Sequence, residues 1–198
     1  MNSAWPRLTR VLAPAAPAVT LAAAKAHLRV EHAEDDGMIE GLIEAAVATI
    51  EGPAGIGIAL MTQTWRLSLD GGFMAVPIEL PLGPVQAVAA ITYVDGDGQE
   101  QTLDPALYDL DADSRPARID RTFGATWPAA RRQLSAVKIT FTAGYGDTPT
   151  AVPADLRAAL LLMVGHLYQN REAVSRPMQE MPLGFTAIVE RHRVGRFG

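Results

Sequence analysis

Hydrophobic residues recur every three to four positions in two stretches near the N-terminus, every second position through the middle, and every three to four again beyond residue 150. The first stretch is LAAAKAHLRV, residues 21–30, in which Leu21, Ala24 and Leu28 share a face and Thr20 stands where an N-cap is needed. That spacing predicts a short helix. EHAEDDG reads as a turn, and Asp35 or Asp36 is placed to cap a second helix over Gly37–Glu51. Acids there suit the positive end of the helix dipole. The stripe of this helix is Met38, Ile39, Leu42, Ile43, Ala46, Val47 and Ile50, and the glycines and proline of GPAGIG stop it.

From about Leu60 the period falls to two. Trp65, Leu67 and Leu69 alternate with Thr64, Arg66 and Ser68, and Val76, Ile78, Leu80 and Leu82 alternate before a turn at PLGP. VAAITYVDGDGQEQTLD reads as a hairpin about the Asp95–Gly98 turn, and YDLD, ARID and VKITFTAG read as further short strands. The helical period returns in Ala151–Ala173, with Pro153 and Asp155 in its first turn and a stripe of Leu156, Leu160, Met163, Val164 and Leu167. Pro177 and Pro182 then interrupt the chain, leaving room for a short helix in GFTAIVERHRV.

The expected fold class is therefore α+β. A helical core of two N-terminal helices and one long C-terminal helix carries an inserted small antiparallel β unit and extended terminal arms. The expected segments are a flexible arm over 1–19, the helical core over 20–59 and 148–176, the β insertion over 60–147, and a C-terminal arm over 177–198.

Composition narrows the function. The chain has 198 residues, 48% hydrophobic and 20% charged, enough to build a packed core. No apolar run approaches the roughly 20 residues of a membrane span, so no membrane partner is expected. Pro6, Pro14 and Pro17 make the start read as an arm rather than a signal peptide. The absence of cysteine excludes disulfide and thiolate chemistry and suits a reducing cytoplasm. Charge is uneven: residues 20–60 hold two cations against seven acids, while residues 151–198 hold six against four. An acidic middle with basic ends is ill suited to gripping duplex DNA, and suits contact between unlike protein surfaces.

Candidate chemistry is sparse. Asp109–Asp120, DLDADSRPARID, carries acids at positions 1, 3, 5 and 12 of a twelve-residue frame, as an EF-hand loop does. Ser114 stands where the loop needs glycine, Pro116 occupies position eight, and Arg115 and Arg118 oppose a cation, so an acidic strand edge is the better reading. His27, His32, His166 and His192 have no metal-ligand spacing, and His166 reads as a packing or interface residue. No GxSxG is present, and neither GPAGIG nor AGYGD carries a phosphate-loop lysine. The expectation is no catalytic residue, no cofactor and no metal. Two other classes compete with a structural role: a small metal-dependent enzyme using the Asp109–Asp120 acids, and a nucleic-acid-binding regulator using Arg191, Arg193 and Arg196.

Four strings in order, TLAAAKAHLRVEHAEDDGMIEGLIEAAVATIE, TQTWRLSLD, ITYVDGDGQEQTLDPALYDLD and VKITFTAGYGDTPTAVPADLRAALLLMVGHLYQNRE, closely resemble the phage head–tail connector (adaptor) proteins. The resemblance is to the branch with a β insertion, found in tailed phages, prophages and gene transfer agents, and it covers about residues 19–173. It implies a virion structural protein without catalytic residues, assembled in the bacterial cytoplasm and located in the particle neck. It further implies a dodecameric ring of copies beneath the portal protein, meeting a stopper or tail-terminator protein on its other side, with double-stranded DNA in transit through the channel. The tail, with Leu183, Phe185, Ile188, Val189, Arg191, Arg193, Val194, Arg196 and Phe197, is then expected to fold into a groove on the portal.

Overall fold

A computed structural model describes residues 7–73, 77–170 and 183–194. The chain divides into two compact units, one from Ala15–Met61 and Tyr145–Arg193, the other from Met1–Pro14, Thr62–Gly144 and Val194–Gly198. The architecture is mixed α+β, with helices α1 (Leu21–Leu28), α2 (Asp36–Ile50), α3 (Ala154–Gln169) and α4 (Leu183–His192) and antiparallel sheets.

In the helical unit, α1 starts as its sequence predicts: Thr20 is extended and its hydroxyl accepts from the Ala23 N–H at 3.2 Å. Arg29, at φ 58°, turns the chain out of the helix. Replacing Thr20 with alanine leaves a first-turn N–H without its acceptor, and a loss of about 1 kcal/mol is expected in urea unfolding. The stripe of α2 narrows to Ile39, Ile43, Ala46 and Ile50 as its buried residues. The acids at its start do different work from that expected. Asp35 is the N-cap residue but makes no side-chain cap bond; its carboxylate accepts from the Tyr168 hydroxyl of α3 at 2.6 Å. Asp36 pairs with Lys25 of α1. Both acids thus join helices rather than only facing a dipole.

The GPAGIG turn is held tightly. Gly52 and Gly57 have φ of 79° and 78°, and a Cβ on Gly55 would sit 2.1 Å from the Ile50 carbonyl oxygen. Only glycine permits that approach. The third helix starts three residues later than expected, because Pro149–Ala151 forms a 3-10 turn and Val152, preceding proline, is extended. Pro153 is accordingly the cap residue, α3 ends at Gln169, and residues 171–173 lie outside the described ones. It buries Leu156, Ala159, Leu160, Met163 and Val164.

The β unit holds β1 (Arg7–Leu12), β2 (Gln63–Leu69), β3 (Ile78–Leu80), β4 (Val85–Val94), β5 (Glu100–Thr102), β6 (Tyr108–Asp111), β7 (Ala117–Arg121) and β8 (Val137–Ala143). They form a five-stranded sheet ordered β1-β2-β8-β4-β5 and a three-stranded sheet ordered β3-β7-β6. The central β8 alternates strictly, burying Val137, Ile139, Phe141 and Ala143. Phe141 lies opposite Trp65 of β2 and Val88 of β4, flanked by a paired strand on each side. The β4–β5 hairpin forms at the expected turn: Asp95 accepts from the N–H groups of Asp97 and Gln99 at 3.0 and 2.9 Å, and Gly98 takes φ 84°. Those bonds, the Gln99 one foremost, hold the Asp95 carboxyl below its ordinary range.

Within the flexible arm expected over 1–19, the described residues include a strand, β1. Residues 7–12 pair antiparallel with β2, Arg10 lies 5.9 Å over the Trp65 ring, and Ala18 and Val19 are buried. The strand is hidden in the sequence, since RLTRVL has no alternation and only one of its six residues is even partly buried.

Candidate interaction surface

Among the described residues, those expected to meet a partner lie on both sides of α4 and just beyond its end. Phe185 and Val189 are buried, 4% and 7% exposed, and α4 packs on α3, with the Gly184 backbone lying beside Leu162. Ile188 is half-buried, and Arg191 projects with its side chain 67% exposed. Leu183 opens the helix. Arg193 donates to both carboxylate oxygens of Glu190 at 3.0 and 2.8 Å. Val194 lies against Gly83 in the β unit, while Arg196 and Phe197 fall outside the described residues. The apolar pair expected to dock elsewhere is therefore used within the protomer. The reason is the 3.6 period itself: Phe185 and Val189, four residues apart, share one face and find the stripe of α3.

The end of α4 is fastened electrostatically. His192 Nε2 lies 2.8 Å from Asp155 Oδ2 at the start of α3, and Arg191 lies 3.9 Å from the same oxygen. The His192 bond is the main reason the Asp155 carboxyl sits below its ordinary range.

The acidic frame Asp109–Asp120 is the β6–β7 hairpin, with Asp109 directly opposite Asp120. The Asp111 carboxylate is occupied by the Ser114 hydroxyl at 2.6 Å, the Ser114 N–H at 3.1 Å and Arg118 Nε at 2.9 Å. The Ser114 hydroxyl bond, followed by Arg118, draws its pKa down to about 2. A depressed carboxylate stabilises the fold above its unfolded value and loses that contribution as pH falls through the folded one. An NMR titration should place the Asp111 midpoint at about 2, and Arg118→Ala should raise it. Among the described residues, no three or more His, Asp or Glu side chains gather where a metal ion could sit.

Phe123, which has no periodic signal in the sequence, is fully exposed in a turn closed by Ala125 N–H on Thr122 C=O at 2.9 Å with Gly124 at φ 81°. Leu134, Leu12 and Val11 are the other large apolar side chains exposed among the described residues. Trp127 stacks on Phe73 at 4.8 Å, and Phe73 meets Tyr93 edge-on at 5.9 Å. These rings are a packed aromatic cluster rather than an open stacking platform.

A fold with few chemical groups in common register and several apolar projections has the character of an assembly part. The model of the phage gp6-like head-tail connector protein family matches residues 18–99. A chain in the structure "Virion of native gene transfer agent (GTA) particle" is 32% identical, with a TM-score of 0.79 and 96% of each chain covered. Chains in "Neck of empty GTA particle computed with C6 symmetry" and "Neck of native GTA particle computed with C12 symmetry" are each 31% identical, with TM-scores of 0.80 and 0.76 and 96% of each chain covered. No curated protein matches. The chain belongs to the gp6-like head-tail connector family, and its role is that of a structural connector in a phage-like particle.

Proposed function

We propose that the chain forms a ring of twelve copies in the neck of its particle, between a portal protein and a stopper or tail-terminator protein, with duplex DNA passing through the ring and no bond made or broken. The observation that carries this is the likeness over 96% of both chains to proteins of gene transfer agent necks, solved under sixfold and twelvefold symmetry. A dodecamer satisfies both. In this reading α1, α2 and α3 are the frame of the ring and the β unit is its insertion. A net charge of −5 suits a conduit, because each added phosphate contact would slow passage. The C-terminal residues Leu183–Phe197 meet the portal, and the many copies acting together raise the avidity of a weak single contact.

The test is electron microscopy of the purified chain mixed with portal. A twelvefold ring seated on one end of the portal is expected. A chain that stays monomeric beside intact portal overturns the reading.

A further inference from the structure

A cyclic ring needs two unlike patches on each copy, because each copy presents one to the next and receives the other. The five-stranded sheet ends in two unlike edges. On one side is β1, with no further strand beside it among the described residues; on the other is β5, three residues long and exposed throughout. Open edges invite strand addition, and proteins keep them short, bulged or charged to restrict what can add. Both edges are restricted in this way. The register of β1 shifts between Arg10 and Leu12, leaving Arg7–Arg10 as its regular ladder and Val11 and Leu12 48% and 64% exposed.

The two edges carry opposite charge. Residues 7–12 hold Arg7 and Arg10 and no acid, whereas residues 95–104 hold Asp95, Asp97, Glu100 and Asp104 and no cation. Neighbouring charges soften this, with Asp70 beside Arg7, Lys138 and Arg66 acting on Glu100, and the Arg131 guanidinium beside Gly98, without reversing the sign of either edge.

We propose that the β1 edge of one copy docks on the β5 edge of the next, joining the sheets into a continuous belt; this rests on the ring reading above. Every step from β1 to β5 within the sheet is antiparallel, so β1 and β5 run the same way and the joint between copies is parallel. At about 4.8 Å between strands, five strands advance about 24 Å per copy, and twelve copies close a belt about 90 Å across. The next copy also covers Val11 and Leu12.

The chain lacks cysteine, so introduced thiols report alone. Thr9→Cys and Gln101→Cys sit on the two edges. In rings of the full-length double variant, a short thiol crosslinker is expected to give a covalent ladder running up to the ring. Each single variant should give none, and a mixture of the two singles should give only dimers. Val11→Asp with Leu12→Asp, both exposed, should keep a folded chain and reduce ring yield at least tenfold. Rings that form normally yet yield no ladder, or a doubly acidic variant that assembles like the parent, overturn the edge contact and leave the ring standing. Failure of the unaltered chain to form rings overturns the reading beneath it.

Discussion

Phe141→Ala is expected to lower the unfolding free energy by about 3–5 kcal/mol, measured by urea denaturation with an unchanged m-value. Phe141 is fully buried on the central strand of the larger sheet, opposite Trp65 on one side and Val88 on the other. Removing the ring takes away a large apolar surface and leaves a cavity that two paired strands prevent from collapsing. Hydrogen bonds on both flanks hold β8 in place, so relaxation is small and the cavity contribution is near its upper range. For a fold whose whole margin is about 5–15 kcal/mol, that is a large fraction. A loss below about 1 kcal/mol would mean that the sheet closes over the gap and that β8 is not its rigid centre. Ile139→Val, two residues along the same strand and equally buried, should cost about 0.5–1.5 kcal/mol and serves as the scale for that measurement.

The parts of the fold legible in the sequence are those where the chain repeats itself. The period-two burial of β8 and the 3.6-period stripes of α2 and α3 are long enough to declare themselves, because burial on one face imposes them. The Thr20 cap and the Asp95–Gly98 turn are equally legible, since each depends on bonds within a few residues. The illegible parts depend on partners far along the chain. β1 is six residues with a bulge, and only its pairing with β2 makes it a strand. Nothing local divides the strands between two sheets: β3 joins β7, a distant segment, and packing makes that choice. Asp35 does stand at a helix start, yet its carboxylate bonds Tyr168, 133 positions away. The interaction surface is half legible. The amphipathic pattern of residues 183–193 is visible, but a pattern states only that one face must be covered. It does not state by what, and the structure answers with α3. Phe123 lies in a short TFGAT segment, where a single aromatic has no periodicity to mark it.

The burial of α4 sets the sharpest test of how the tail works. With Phe185 and Val189 buried on α3, the proposed portal contact can take them only if α4 first leaves its own subunit. Full burial of two such side chains holds a helix with about 3–6 kcal/mol as an upper bound, and the His192–Asp155 pair adds a partly exposed contact of small worth. A helix held at that level detaches rarely, yet a portal surface offering the same burial together with an acidic rim for Arg191 could exchange for it. Fixing α4 in place separates the possibilities. Leu162→Cys with Gly184→Cys puts thiols on neighbouring positions of α3 and α4, where a Cβ on residue 184 lies 3.7 Å from Leu162 Cδ1, within the span of a short crosslinker. Bridging them by a short, reducible thiol crosslinker should leave the subunit folded and somewhat more stable. If the proposed portal contact uses this face, portal binding by the bridged protein is expected to fall at least tenfold, and cleavage of the crosslinker should restore it. This is a better instrument than deleting Leu183–Gly198, which would strip the cover from α3 and confuse unfolding with lost docking. Unchanged portal affinity in the bridged protein would assign Phe185 and Val189 to the subunit core alone. The proposed portal contact would then fall to the outward side of α4, which carries the exposed Arg191.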